Sequence, residues 1–324
     1  MFRPIAYELT RCPVCRSADT EQVAGADEIR GEVEELWAFH GRRLRPATPP
    51  ERLLDRLAFS QAPPWRVVRC QGCTLLFRNP RERPSELEAA YKVDTPAPAV
   101  LAALFENQRR SYRTQARRLT DVLGRTGAGV EVGSYVGAFL AAAMDAGWHF
   151  EGLDISAETS AFARERGFAV STGTLETFVT GRRFDAVAIW NCFEQLPDPR
   201  AAAVRARALL RPGGVLAIRT PNGAFWLRLR RWLRGPAAAA ARALLAHNNL
   251  LALPYRHAFT VRALSHVLHD ADFRIERIVG DVLVPIADEW THRWAAIEER
   301  ALKTMLRALR GSATPWLEVY ARAE

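Results

Sequence analysis

Between Val130 and Asn222 the chain alternates apolar, strand-like runs with helical patterns, and this alternation limits the fold more than any other feature. The runs read VEVGSYVGAFLAAA, FEGLDIS, FDAVAIWNCFEQLPDP and LLRPGGVLAIRTPN. Strands separated by helices predict an α/β fold with a parallel sheet. Such a sheet is covered on both faces and binds ligands at the carboxyl ends of its strands. Polar residues and glycines collect at those ends: Gly133 to Gly137 after the first strand, Asp154 after the second, and Trp190 to Glu194 after the fourth.

The 324 residues leave room for one α/β domain and a small second module. Apolar residues make up 48% of the chain, which is the balance of a globular protein and not of a disordered one. The formal charge is +9, and because Lys92 and Lys303 are the only lysines it is carried almost entirely by arginine. Such a charge suits a nucleic acid or an anionic membrane surface, and equally the Arg- and Ala-rich usage of a GC-rich genome. No run of about 18 apolar residues occurs, so no membrane-spanning helix is expected, although peripheral contact stays open. The first residues, MFRPIAYELTRCPVC, lack an apolar signal core, and a cytoplasmic location is expected.

The five cysteines fall as two close pairs plus Cys192. Cys12-Pro-Val-Cys15 and Cys70-Gln-Gly-Cys73 have the spacing that turns two thiolates onto one ion, and two such pairs make the closed tetrahedral site of structural zinc. Four cysteine ligands leave no open position for a substrate, so a structural role is expected. The other readings are four buried free thiols or a redox pair. The gap between the pairs predicts a helical insertion: Glu28 to His40 as a charged helix, then Thr48-Pro-Pro-Glu51 with capping-box spacing before Leu53, Leu54 and Leu57. Trp65 to Arg69 and Leu75 to Phe77 read as short strands. Asp94 to Val100, with Pro96 and Pro98, reads as a linker. The expected units are a zinc-ribbon-like domain at 1–95 and an α/β domain at 96–324, with an insertion at 222–254.

The segment CPVC…RCQGCTLLFRNPRE, from Cys12 to about Tyr91, resembles the N-terminal zinc-binding domain that precedes some bacterial methyltransferases, including deoxysugar C-methyltransferases. The strand-end pattern resembles the class I S-adenosylmethionine (SAM) methyltransferases. That resemblance implies a Rossmann-like sheet of seven strands with the last antiparallel, here PWLEVYARAE. The family's loop reads acidic-x-Gly-x-Gly-x-Gly. Glu131, Gly133 and Gly137 match it, and Tyr135 replaces the middle glycine. By the same resemblance Asp154 holds the ribose hydroxyls, Thr174 and Leu175 edge the adenine, and Ser134, Ile155, Trp190 and Asn191 complete the cofactor site. Leu175 is equally well explained as core. NAD is the competing cofactor. SAM is favoured because Gly133-Ser-Tyr-Val-Gly137 departs from G-x-G-x-x-G, and because LLRPGGVLAI and the final strand match the methyltransferase pattern.

Glu194-Gln195 stands where the family often has Glu-His, and an amide cannot act as a base. Glu194, His257 of the segment His257-Ala-Phe259-Thr260, and Tyr135 are the catalytic candidates. For His257 the alternative is a structural histidine bonded to a loop carbonyl, and for Cys192 it is core filling. Phe225 to Arg234 alternates an aromatic and leucine face with Arg228, Arg230, Arg231 and Arg234, which suits either a lid or a membrane-surface helix. The expected activity is SAM-dependent methyl transfer to a small or carrier-linked metabolite, such as a sugar or natural-product intermediate. Two alternatives remain. One is an rRNA or tRNA methyltransferase, although the fourth strand ends in Trp190-Asn191-Cys192-Phe193 and not in an Asn-Pro-Pro-Tyr-type motif. The other is a non-catalytic SAM-binding scaffold, which Tyr135 and Gln195 keep open.

Overall fold

The computed structural model describes residues 6–49, 64–86, 98–251, 255–283, 285–309 and 313–324. The N-terminal part contains β1 (Tyr7–Glu8), β2 (Thr20–Ala24), α1 (Ala26–Gly41), β3 (Arg66–Cys70), β4 (Leu76–Asn79) and β5 (Arg81–Glu82). The charged helix and both strands beside the second cysteine pair therefore form as the sequence predicts. The second expected helix, at Thr48 to Leu57, lies outside the described residues but for its first two positions. So does most of the proposed linker, whose last residues, from Pro98, already belong to the next helix.

That helix, α2 (Pro98–Leu123), leads into the main sheet: β6 (Ala128–Val132), α3 (Ala138–Asp145), β7 (His149–Asp154), α4 (Ala157–Arg164), β8 (Val170–Thr172), β9 (Phe184–Trp190), α5 (Pro199–Leu209) and β10 (Leu210–Pro221). The chain continues through α6 (Gly223–Arg230), α7 (Ala238–Ala246), β11 (His257–Ala258), α8 (Val261–His269), β12 (Phe273–Asp281), α9 (Arg293–Arg307) and β13 (Trp316–Ala323). The sheet order is β12-β13-β10-β9-β6-β7-β8. Strands β6 to β10 pair in parallel, and β13 runs antiparallel between β10 and β12, from Val215↔Arg322 to Pro221↔Trp316 on the β10 side. The seven-stranded sheet with its antiparallel last strand is the one expected from the sequence.

All seven residues of β9 are buried, which is why that strand reads as a continuous apolar run. The two faces alternate. Val187 and Ile189 pack with Ala202, Ala203 and Leu264 of α5 and α8, while Ala186, Ala188 and Trp190 pack with Leu119 and Phe139 of α2 and α3. Helix starts are set locally. Asp198 accepts N–H bonds from Arg200 and Ala201 at the head of α5, Thr260 accepts one from Ala263 at α8, and Asn222 accepts those of Ala224 and Phe225 at α6.

A second sheet has the order β11-β4-β3-β2, all antiparallel. Its fourth strand comes from far beyond residue 95, through the pairs His257↔Phe77 and Ala258↔Leu76. The N-terminal module is thus sewn to the main sheet. Ile29, Leu36 and Phe39 of α1 and Trp65 share a core with Phe225, Trp226, Leu245 and Leu250.

The insertion departs from the expected ten-residue amphipathic helix. Helix α6 stops at Arg230, and Trp232 sits in the following turn, 55% exposed, whereas Trp226 is fully buried. Pro236 cannot continue a helix, and Gly235 takes φ +109, so the chain turns away before the aromatic face is complete. Two of the four arginines are absorbed by α1: Arg230 pairs with Glu32 and Arg234 with Glu28. Among the described residues no helix is long and apolar enough to cross a membrane.

The two tryptophans should respond differently to truncation. Trp226→Ala removes a buried indole and should cost about 3–5 kcal/mol in urea unfolding, whereas Trp232→Ala should stay within about 0.5 kcal/mol. Equal effects would contradict the packing described.

Candidate active site and cysteine cluster

Strand order reverses beside β6: β7 and β8 lie on one side of it, β9 and β10 on the other. The crevice at the carboxyl ends of β6 and β9 is the place where such folds bind ligands. The loop leaving β6 is wound tightly there, with Gly133 at φ +75, Tyr135 at +47 and Gly137 at +76. Gly133 is needed twice, since a β-carbon on it would also lie 2.8 Å from Cys192 Sγ. Tyr135 holds the left-handed conformation that a glycine would take without strain, at a cost of about 1–2 kcal/mol. Its N–H donates to Asp154 Oδ2 at 2.8 Å, which helps fix the turn. The Tyr135 ring packs towards Leu101, Phe105 and Phe162.

Asp154 ends β7 and is 8% exposed. Its Oδ1 accepts from Ser156 N at 3.0 Å and Thr159 Oγ1 at 2.9 Å. Burial raises its pKa even so, and the three donors offset that only in part. Ile155 beside it is half-buried. Glu131, the penultimate residue of β6, is 2% exposed with Oε2 unpartnered. Burial, then the charge of Asp154, pushes its pKa well up. Thr174 exchanges hydrogen bonds with Thr177, and Leu175 is buried in the main core.

At the end of β9, Trp190 packs between Tyr112, Phe139 and Tyr320. Asn191 takes φ +55 and accepts from Arg219 Nη1 at 2.6 Å. Gln195 Nε2 donates to Asn191 O at 2.8 Å, so the amide closes the turn that carries Glu194. Glu194 is fully buried, and burial raises its pKa from 4.5 to about 7, with nearby Thr220, Arg219 and Gln195 restraining the rise. His257 is 1% exposed and bonds the backbone of Glu194, while its Nδ1 has no partner among the described residues. Burial, with Arg256, Arg81 and Arg78 beside it, holds this imidazole neutral with its pKa well below the usual value. Cys192 is a half-buried thiol, its pKa raised by desolvation and by Glu194.

The sequence did not single out Tyr112 or Arg219. Tyr112 lies in the amphipathic α2, where nothing in its spacing marks it. Its hydroxyl accepts from Asn191 Nδ2 at 3.4 Å. Arg219 is 4% exposed, lies over the Trp316 ring and bonds Asp281 at 2.6 Å. Burial opposes its charge, but Asp281 and Glu318 outweigh that and raise its pKa. A lone arginine ending an apolar strand, LAIRTPN, was the available signal.

The four paired cysteines converge as their spacing predicts. Cys12 Sγ lies 3.5 Å from Cys73 Sγ, Cys15 Sγ lies 3.3 Å from Cys70 Sγ, and all four fall within 4.8 Å. The two knuckles repeat one geometry: Arg16 N bonds Cys12 O and Thr74 N bonds Cys70 O, both at 2.9 Å, with Arg16 at φ +62 and Thr74 at +66. These separations are far beyond a disulfide's ~2.05 Å and close to the ~3.8 Å edge of a tetrahedron with 2.3 Å metal–sulfur bonds.

A family model described as a methyltransferase domain matches residues 104–278. The chain belongs to this methyltransferase family. No curated protein matches the chain. Similar solved structures include a SAM-dependent methyltransferase from Thermotoga maritima, described as a possible histamine N-methyltransferase. It is 18% identical over 69% of this chain and 94% of that one, with a TM-score of 0.47. An amino pentose methyltransferase of calicheamicin biosynthesis from Micromonospora echinaspora is 27% identical over 39% of this chain and 56% of that one, TM-score 0.34. The N-methyltransferase NodS from Bradyrhizobium japonicum is 16% identical over 74% of this chain and 97% of that one, TM-score 0.44.

Glu194 should leave a mark on stability. Its folded-state pKa lies above the unfolded value, so its contribution is complete below about pH 4.5 and is lost as pH rises through about 7. The wild type should lose roughly 3 kcal/mol over that window by this group alone. Unfolding of wild type and Glu194→Gln at pH 4.5 and 8 checks it: the difference between them should shift with pH in that direction.

Proposed function

We propose that the enzyme transfers the methyl group of SAM to a small or carrier-linked metabolite, with sugars and natural-product intermediates as the leading classes. One observation carries the placement of the site. Among the described residues Glu131 Oε2, Ser134 Oγ, Trp190 Nε1, Thr220 Oγ1 and both Glu194 oxygens are buried polar atoms without full hydrogen bonds, and they lie at the carboxyl ends of β6, β9 and β10. Unpartnered buried polar atoms are costly and are kept where a ligand supplies the partner. Three buried carboxylates, Glu131, Asp154 and Glu194, suit a ligand that carries an ammonium and a sulfonium. When bound, SAM supplies an activated methyl group.

The chain's own residues bind and orient. Gly133, Ser134, Tyr135 and Gly137 would bring backbone close to the cofactor. Asp154 would accept from the ribose hydroxyls, with Ile155, Thr174, Leu175, Trp190 and Asn191 completing the walls and Glu131 favouring positive charge. Glu194, with a pKa of about 7, is the group best matched to take a proton from the acceptor at neutral pH. His257, neutral and bonded to the Glu194 backbone, positions that turn. Tyr135, the third catalytic candidate, lies in the loop after β6, where its N–H donates to Asp154. Holding acceptor and methyl donor in line supplies much of the remaining rate.

Four converging thiols with repeated knuckle geometry support a structural zinc at Cys12, Cys15, Cys70 and Cys73. Metal analysis of the purified protein should return one zinc per chain. Cys70→Ser should lower it and destabilise the N-terminal module, since binding and folding are coupled. A metal-free protein with four freely titrating thiols would remove the zinc.

For the cofactor, Asp154→Ala should weaken SAM binding by about 1.5–3 kcal/mol in calorimetry. Glu194→Gln should lower the turnover of radiolabelled methyl groups by about 10²–10⁴ at saturating SAM. Unchanged affinity in the first variant, or tighter binding of NAD than of SAM, would overturn the assignment.

A further inference from the structure

A cleft of about 1070 Å³ lies between α1 and α6, bounded also by β3 and the start of α8. It sits outside the switch-point crevice. Seven arginines and four carboxylates line it. The carboxylates are already engaged: Glu32 by Arg230, Glu28 by Arg234, Glu35 by Arg242, and Asp27 by Arg30 from outside the lining. Four arginines remain, Arg69, Arg228, Arg231 and Arg262, and none makes an ion pair or side-chain hydrogen bond among the described residues. Arg69 Nε is buried without an acceptor.

These four guanidinium groups come from three separate elements: β3, α6 with the turn after it, and α8. They carry like charge, and no carboxylate among the described residues pairs with them. A guanidinium fork matches phosphate oxygens in pairs, and a multiply charged anion relieves several cations at once. The first turn of α8 adds the positive end of a helix at the same wall, through Val261 and Arg262. The cleft's excess of positive charge exceeds what one carboxylate would neutralise and suits a diphosphate.

We propose that this cleft binds the diphosphate group of a ligand. The site stands apart from the methyl-transfer crevice, and its test reads binding alone, so it does not depend on the reading of that crevice.

The full chain is titrated calorimetrically with pyrophosphate and with uridine diphosphate at low ionic strength. The pairs Arg228→Gln/Arg231→Gln and Arg69→Gln/Arg262→Gln are compared with Arg293→Gln/Arg300→Gln on α9, which removes the same charge elsewhere. Both probes should bind the wild type. Each cleft pair should lose at least tenfold in affinity, the α9 pair should change less than twofold, and affinity for S-adenosylhomocysteine should hold throughout. Arg231→Gln alone, at an exposed side chain, replaces any pair that lowers the melting temperature. Flotation with phosphatidylcholine vesicles, with and without phosphatidic acid, separates the sources of the phosphate. Flotation that uridine diphosphate competes away places a lipid-borne group in the same site, and no flotation leaves a soluble ligand. Failure of both probes to bind overturns the proposal. So do equal losses in cleft and control pairs, or binding of single-stranded RNA alone.

Discussion

Three consecutive residues join the two sheets of this enzyme. His257 and Ala258 add a strand to β4 of the N-terminal sheet, and Phe259 then bridges Asn222 at the end of β10. The next residue, Thr260, shares a hydroxyl bond of 2.6 Å with Thr74, the residue that follows the second cysteine knuckle. The knuckles are also tied to the main sheet by Arg200, which donates to Val14 O at 2.9 Å from the first turn of α5. Through this seam the cysteine cluster, the Glu194 turn and the insertion share one rigid support. A structural metal would then act on the crevice by steadying its floor, because His257 bonds the backbone that carries Glu194.

The sheet also separates two kinds of buried acid. At the amino end of β9, Asp185 is as buried as the crevice residues. Burial alone would raise its pKa, but its bonds to Arg125, Ala128 N–H and Arg211 outweigh that and lower it. At the carboxyl end, Glu131, Asp154 and Glu194 are all shifted the other way by burial. The chemistry is the same and the partners differ. Where the fold supplies cations the acid is structural. Where it supplies fewer, burial prevails and the acids are held closer to their neutral form. Beyond β11 the balance reverses, and in the cleft between α1 and α6 seven arginines outnumber four carboxylates.

Much of this was legible in the sequence. The alternation from Val130 to Asn222 placed the strands within a few residues, because burial on both faces imposes long apolar runs that few other structures produce. The glycines of the β6 loop, Asp154 and the Glu194 turn were legible because strand ends are where polar residues break those runs. Tyr135 looked like a departure, yet the backbone there is left-handed as a glycine's would be, held in part by a bond to Asp154. The ten-residue amphipathic helix at Phe225 to Arg234 was misread. Periodicity alone could not show that Gly235 and Pro236 turn the chain before Trp232 joins the core.

By itself the sequence determined the sheet, the polar edge at its strand ends and the convergence of four cysteines, since each follows from local pattern: period, turn residues and short spacing. Only the tertiary structure decided that β11 belongs to the N-terminal sheet, that Arg219 and Tyr112 reach Asn191, and that Arg230 and Arg234 are spent on α1 while Arg228 and Arg231 are not. A two-residue strand and a single ion pair carry no periodic signal. Their partners lie far away in the chain, and they are set by how the elements pack once formed.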